Sequence, residues 1–160
     1  MRSPAEIAWR LRQEIENIRL WVQPPNLAAA PPYAPLERLP EPHRLAAALQ
    51  TSPFLAELAE LADRIVAHRF PLLGLEIETG PKIAWRRDYP SGVETRPVYF
   101  RRIAYLDARR SGDHKRIWEL NRHQHLVVLA QAWLGTGGRR YLEEIRTQLE
   151  SWLVANPYAR

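Results

Sequence analysis

"GDHKRIWELNRHQHLVVLAQAWL", residues 112–134, is the stretch whose reading decides the fold. Taken at about 100° per residue it predicts one helix from Asp113 to Leu134, capped by Ser111 or Asp113. His114, Trp118, Asn121 and His125 then share one face. Arg116, Glu119 and His123 lie opposite, with Lys115 and Arg122 flanking Glu119. From Leu126 onward the side chains are apolar at almost every angle apart from Gln131, and a helix apolar all round is expected to be enclosed by others. Its first half must then reach partners or water. That is the geometry of an inner helix whose N-terminal end opens into a cleft, where the helix dipole and unpaired amides favour an anion. The structural alternative is that these polar groups serve caps and inter-helix hydrogen bonds.

Working outward, "GTGG" at residues 135–138 breaks the helix, and a second runs from Arg139 to about Ala155, stopping at Asn156-Pro157. Tyr141, Ile145, Gln148, Leu149 and Trp152 form its expected inner face. So short a turn predicts an antiparallel helical hairpin. Upstream, "LEIET", "KIAWR" and "VYFRRIAY", between Leu75 and Tyr105, are short, β-branched or aromatic, and separated by turn residues. They predict irregular hairpin-like structure with little regular sheet. Ser52-Pro53 opens a helix carrying Phe54, Leu58, Leu61, Ile65 and Val66, closed by "RFPLLG"; a short helix is expected over His43–Gln50.

At the other end, Ser3-Pro4-Ala5-Glu6 is a capping box with proline in the first turn, followed by Ile7, Leu11, Ile15, Ile18 and Val22 at helical spacing. Residues 1–22 are read as an amphipathic helix packed on the rest of the chain. Residues 23–42 carry seven prolines and are read as a linker or wrapping arm that Tyr33 and Leu36 could pin. Residues 43–160 form the main domain, so the fold class is mainly α.

The chain has 160 residues, enough for one domain with a real core. With no cysteine, disulfides and thiolate-bound metal are excluded while the compartment stays open. The N-terminus offers no signal-peptide-like segment, which makes the cytoplasm the default. The longest apolar run is far short of the roughly 20 residues that span a bilayer, so no membrane partner is expected. Net charge is +5 and nearly all the cations are arginine, a bias that nominates anionic partners.

Several chemistries find no support. Glu119 and His123 at i, i+4 could share a metal ion, but Arg122 and Lys115 beside Glu119 favour a salt bridge, and no metal or cofactor is expected. Ser111 and Ser151 lack a nucleophile-elbow setting. No strand feeds "GTGG", so it is not a phosphate cradle. The pairs Arg86-Arg87, Arg101-Arg102, Arg109-Arg110 and Arg139-Arg140 invite a polyanion reading, yet adjacent residues on an extended segment diverge, so at most one of each pair faces a ligand. No nucleic-acid motif is present and no nucleic-acid partner is expected.

The run "RIAYLDARRSGDHKRIWELNRHQHLVVLAQAWLGTGGRRYLEEIRTQLESWLVANP" resembles the N-terminal helical region of heparinase II/III-like polysaccharide lyases, in which a "GD-K-WELNRH" segment begins an inner helix and "W---NP" ends its partner. "HRFPLLG" and "IAWRRDYPSG" resemble the preceding "FLG" and "W--D---G" segments, so the likeness spans roughly residues 62–157. The resemblance implies a partial (α/α) toroid and β-elimination on a uronic-acid polysaccharide, with an acidic polysaccharide as partner and the periplasm as a further compartment. It also implies that Trp118, Glu119, Asn121, Arg122, His123 and Gln124 line or support the substrate cleft. The family's carboxylate-neutralising group, base tyrosine and β-sandwich histidine belong to segments after "NP" that this sequence does not contain. No catalytic residue is therefore assigned, the chain is expected to be inactive alone, and the remaining C-terminal part of such a lyase is an expected partner. A non-catalytic acidic-glycan-binding module and a structural helical scaffold are the alternatives.

Overall fold

The Ser3 hydroxyl accepts from the Glu6 amide at 3.2 Å, and Pro4, whose missing N–H costs a helix nothing in its first turn, opens helix α1 (Pro4–Val22). The structure, a computed structural model, describes residues 3–26 and 41–157. The pinning residues Tyr33 and Leu36 lie outside the described residues. The α1 helix does not pack as expected: none of its residues is buried, and Leu11, Ile15 and Val22 are at least 60% exposed. It meets the body through Glu14, which accepts from the Tyr99 hydroxyl at 3.0 Å and pairs with Arg101 at 2.6 Å, and through Trp21 against the Tyr99 ring. A carboxylate and an indole hold it, so its aliphatic stripe is not what docks.

Helices α2 (Pro42–Gln50) and α3 (Phe54–Val66) follow, with the Ser52 hydroxyl accepting from the Phe54 amide. Leu58, Ala62 and Ile65 recur at helical spacing and are all buried. "RFPLLG" does more than close α3. It supplies strand β1 (Arg69–Leu72), which pairs antiparallel with β2 (Leu75–Glu78), Phe70 opposite Ile77 on the buried face. Leu73 (φ 50) and Gly74 (φ 76) make the two-residue left-handed turn that matches strand twist. Pro71 is tolerated because a two-stranded ribbon has a free edge on both sides.

Between β2 and residue 107 the chain is irregular as expected, with one isolated antiparallel bridge, Arg87 to Glu94, and a 3-10 turn at Phe100–Arg102. "KIAWR" and "VYFRRIAY" form no strand among the described residues. Two short helices come next, α4 (Ala108–Ser111), capped by Asp107, and α5 (His114–Asn121), capped by Asp113.

The largest correction falls on the stretch that opened the reading. The predicted single helix from Asp113 to Leu134 is two helices, α5 and α6 (Gln124–Thr136), separated at His123, whose φ is 58 and ψ 23. A left-handed non-glycine residue costs about 1–2 kcal/mol. The ring of His123 lies edge-on to Trp85 (5.6 Å between centroids) and Trp152 (4.9 Å), and aromatic pairs of this kind contribute about 0.5–1.5 kcal/mol each, enough to offset the strain.

Helix α6 packs on α2, α3 and α7 (Arg139–Ala155), but it is not enclosed as its composition predicts, since Val127 is 57% exposed. Gly135 is buried where Leu55 crosses so close that a Cβ would collide with it. Gly137 (φ 73) takes the left-handed position that ends α6, and α7 folds back as the expected hairpin. On α7, Tyr141 and Gln148 are buried, whereas Leu149 is 37% exposed rather than inward. The core gathers Leu58, Ala62, Ile65, Phe70, Trp85, Leu120, Leu129, Ala132 and Tyr141. The Tyr141 hydroxyl and Arg140 both bond Asp63, tying α7 to α3. The fold is mainly helical, and among the described residues no helix is long and apolar enough to cross a membrane.

Candidate binding cleft

Because Asp113 caps α5, the first turn of that helix is fixed, and His114, Trp118 and Asn121 follow on one face. That face forms a wall of a cleft of about 240 Å³. The irregular segment supplies the opposite wall through Trp85, Arg86, Thr95 and Tyr105, and Asn156 after α7 closes one end. Tyr105, His114 and Trp118 form an aromatic trio: Tyr105 and Trp118 both stand edge-on to His114, at 4.9 and 5.7 Å between centroids, and are tilted to each other at 6.0 Å. Trp118 is 52% exposed and presents its indole at the mouth. His114 is buried, and its Nδ1 has no hydrogen-bond partner. None of the lining residues carries a carboxylate, and Arg86 is the charged member of the set. Burial lowers the pKa of Arg86, whose Nε donates to the Ala155 carbonyl at 3.0 Å and whose Nη1 donates to that of Arg96 at 3.3 Å.

Asn121 is at the cleft, but its amide is already engaged. Its Nδ2 donates to the carbonyls of Trp85 and Ile117, both at 2.7 Å, while its Oδ1 accepts from the Trp152 indole at 2.8 Å. An asparagine has two N–H donors, so both are used, and one lone pair is left for a ligand. Asn121 therefore acts as a positioning residue that fixes α5 to the irregular segment and to α7. Trp85 is held from its other end, its Nε1 donating to the Ser151 hydroxyl at 2.8 Å.

A second anchor steadies the loop under the cleft. Asp88 is buried and accepts from Ser91 Oγ (2.5 Å), the Asp113 amide (3.0 Å) and Arg116 (3.5 Å). Burial pushes its pKa up, but the hydrogen bonds from Ser91 and Asp113 and the charge of Arg116 outweigh that, leaving it below the ordinary value. Gly112 passes directly over it, with φ 69 and ψ −172, a conformation nearly confined to glycine.

The six candidate residues within the Trp118–Gln124 run do not act together, because the break at His123 turns them in different directions. Trp118 and Asn121 line the cleft. Glu119 pairs with Arg122 at 2.8 Å, the salt bridge expected for that side. Gln124 is exposed at the start of α6. His123 is turned inward between Trp85 and Trp152, and burial lowers its pKa. Beside it His125 is buried, its Nε2 2.8 Å from Gln148 Oε1, and burial lowers its pKa to about 4, opposed by the Gln148 hydrogen bond and aided by His123. Gln148 Nε2 donates to Glu144 (2.7 Å), which also meets His68 Nε2 at 3.0 Å. Since the Gln148 amide nitrogen is committed to a carboxylate, its oxygen accepts from His125, and His125 carries its proton on Nε2. These histidines belong to the interior and not to the cleft.

Sequence reading missed Arg86, Thr95, Tyr105 and Asn156 as cleft residues. Tyr105 beside the arginine pair was the available signal; nothing in the spacing marks Thr95 or Asn156. A larger hollow, about 590 Å³, runs along α1 by Ile7, Leu11 and Arg101, but its charged groups Glu14 and Arg101 already pair with each other. No family model, curated protein or solved structure matches the chain.

Proposed function

We propose that the chain is the cleft-bearing N-terminal helical part of a heparinase II/III-like lyase, an incomplete (α/α) toroid that holds a uronate-bearing acidic polysaccharide against Trp118. The observation that carries this reading is the composition of the cleft: aromatic faces at Tyr105 and Trp118, a buried cation at Arg86, an unpartnered His114 nitrogen and no carboxylate. Ligand sites pair apolar faces with a few placed polar groups, and a carboxylate-free wall with a guanidinium suits an acidic sugar. The outer side of α7 leaves Leu142, Leu149 and Leu153 at least 37% exposed, an apolar stripe that a further helix pair of a toroid would cover.

In β-elimination the uronate carboxylate is neutralised, a base removes the C5 proton, and an acid protonates the departing glycosidic oxygen. This chain's part is to hold the sugar; the groups that move protons are not assigned to it. The test is binding of a uronate oligosaccharide by the full chain, with ultraviolet absorbance of the unsaturated uronate followed in parallel. Binding without product is expected. Product formation would overturn the assignment of a holding role, and absence of binding would sink the reading. The commitment of both Asn121 N–H donors to backbone carbonyls favours a second reading, a structural scaffold, in which Trp118→Ala changes nothing measurable.

A further inference from the structure

Helix α1 carries an apolar stripe that its own body does not cover. Ala8, Leu11, Ile15, Ile18 and Val22 recur at alternating steps of three and four, the a and d positions of a heptad, and the last four are all large and exposed. The half-buried positions of the helix are Glu6, Glu14, Asn17, Leu20 and Trp21, which at about 100° per residue centre roughly a third of a turn away from that stripe. The body is thus attached to the side of α1 and leaves the stripe open to a second helix.

The sequence of α1 selects a copy of itself. β-branched Ile15 and Val22 stand at a positions with Leu11 at d, a pattern that favours two parallel strands. Charge sets the direction. Glu14 borders the stripe at a g position, Arg12 and Arg19 at e positions. In a parallel pair each g residue faces the e residue of the other strand's next heptad, so Glu14 of each copy meets Arg19 of the other, twice by symmetry; antiparallel strands would set Arg12 against Arg19. Both groups are ready for this. Arg19 meets Glu16 of its own chain at 3.5 Å with both side chains exposed, a weak pair that yields readily. Glu14 is held in place by Tyr99 and Arg101, and a carboxylate has acceptor capacity for a third donor. The seam is under three heptads long, short for a coil that must fold as it pairs. Here the Ser3 cap and the Glu14 and Trp21 anchors have already fixed the helix, so pairing carries little ordering cost. We propose that α1 pairs in parallel with α1 of a second copy of this chain, Leu11, Ile15, Ile18 and Val22 meeting their counterparts along a twofold axis. This pairing is independent of what the Trp118 cleft holds.

Sedimentation of the full chain from about 1 to 100 μM should show a concentration-dependent dimer. Ile15→Glu with Ile18→Glu should abolish it, and because both positions are exposed, circular dichroism of the variant should match that of the monomeric parent. Arg19→Glu should weaken the dimer about threefold to tenfold by setting like charge against Glu14. A tighter dimer on that substitution would mean antiparallel strands and would sink the proposal. The chain has no cysteine, so Val22→Cys should give a disulfide-linked dimer under mild oxidation, whereas Val127→Cys, also exposed but on α6, should not; cross-linking of both or of neither rules out the in-register seam. A chain that stays monomeric throughout overturns the pairing. So does a dimer that survives the double substitution, which would place the contact on another face such as the Leu142, Leu149 and Leu153 stripe of α7. A trimer, which isoleucine at both a and d would suit, overturns the twofold arrangement.

Discussion

Acid should unfold this protein through His125. The imidazole is 7% exposed, neutral, and packed between Phe70 and Trp85, with its pKa lowered from 6.5 to about 4. The folded value lies below the unfolded one, so the folded state resists protonation. The stability this represents is present above pH 6.5 and is lost as pH falls toward 4. At 1.36 kcal/mol per pKa unit, roughly 2.5 kcal/mol disappears between pH 7 and pH 4.5, a large share of the about 5–15 kcal/mol that holds a domain together. His123 adds in the same direction, its pKa being lowered by burial. Asp88, whose pKa lies below 3.8, loses its contribution only at lower pH and does not confuse the window. The perturbation is His125→Gln, which keeps an N–H reaching Gln148 and cannot titrate. The assay is urea unfolding of both proteins at pH 7, 6, 5 and 4.5, a series chosen at about half-unit to one-unit steps across the linkage window. The variant should be weaker at pH 7, having lost its ring contacts, and should show a much flatter decline. Equal slopes in the two proteins, or a wild-type protein that gains stability on acidification, would refute the reasoning.

Other predictions test the joints of the cleft. Gly112→Ala should destabilise by about 2 kcal/mol or more, since its Cβ would sit 2.6 Å from the Asp88 Cβ and its backbone conformation excludes a side chain; the thermal midpoint checks this. Asn121→Ala should cost about 2–3 kcal/mol in urea unfolding by orphaning the Trp152 N–H and two carbonyls. Trp118→Ala, at an exposed position, should change stability by no more than about 0.5 kcal/mol while weakening uronate oligosaccharide binding about tenfold, read by calorimetry.

What the sequence disclosed depended on how local the cause was. The Ser3 cap on the Glu6 amide, the left-handed Gly137 and the α6–α7 hairpin are consequences of a few adjacent residues, and they stand where the pattern puts them. The break at His123 is not local. It has no proline or glycine, and what offsets its strain is contact with Trp85 and Trp152, which are distant in sequence. A wheel drawn through it kept His125 beside Trp118 and Asn121, when the reversal places it in the core. Pro71 misled in another way, because it marks both a helix stop and an edge strand, and only the pairing of Phe70 with Ile77 decides between them. Trp118 and Asn121 were legible as cleft residues because they precede the break. Their partners Arg86, Thr95 and Asn156 were not, because the irregular segment that carries the first two has no period.

That segment has one further consequence. Its wall of the cleft has almost no ladder of its own and is shaped by bonds from Trp85 to Ser151, from Arg86 to Ala155 and, through Asn121, to Trp152, all on α7. Occupancy of the cleft and seating of the last helix are thus linked equilibria. Whatever free energy α7 contributes by holding the wall ready, a ligand returns to α7 in the same amount, because thermodynamic coupling is reciprocal.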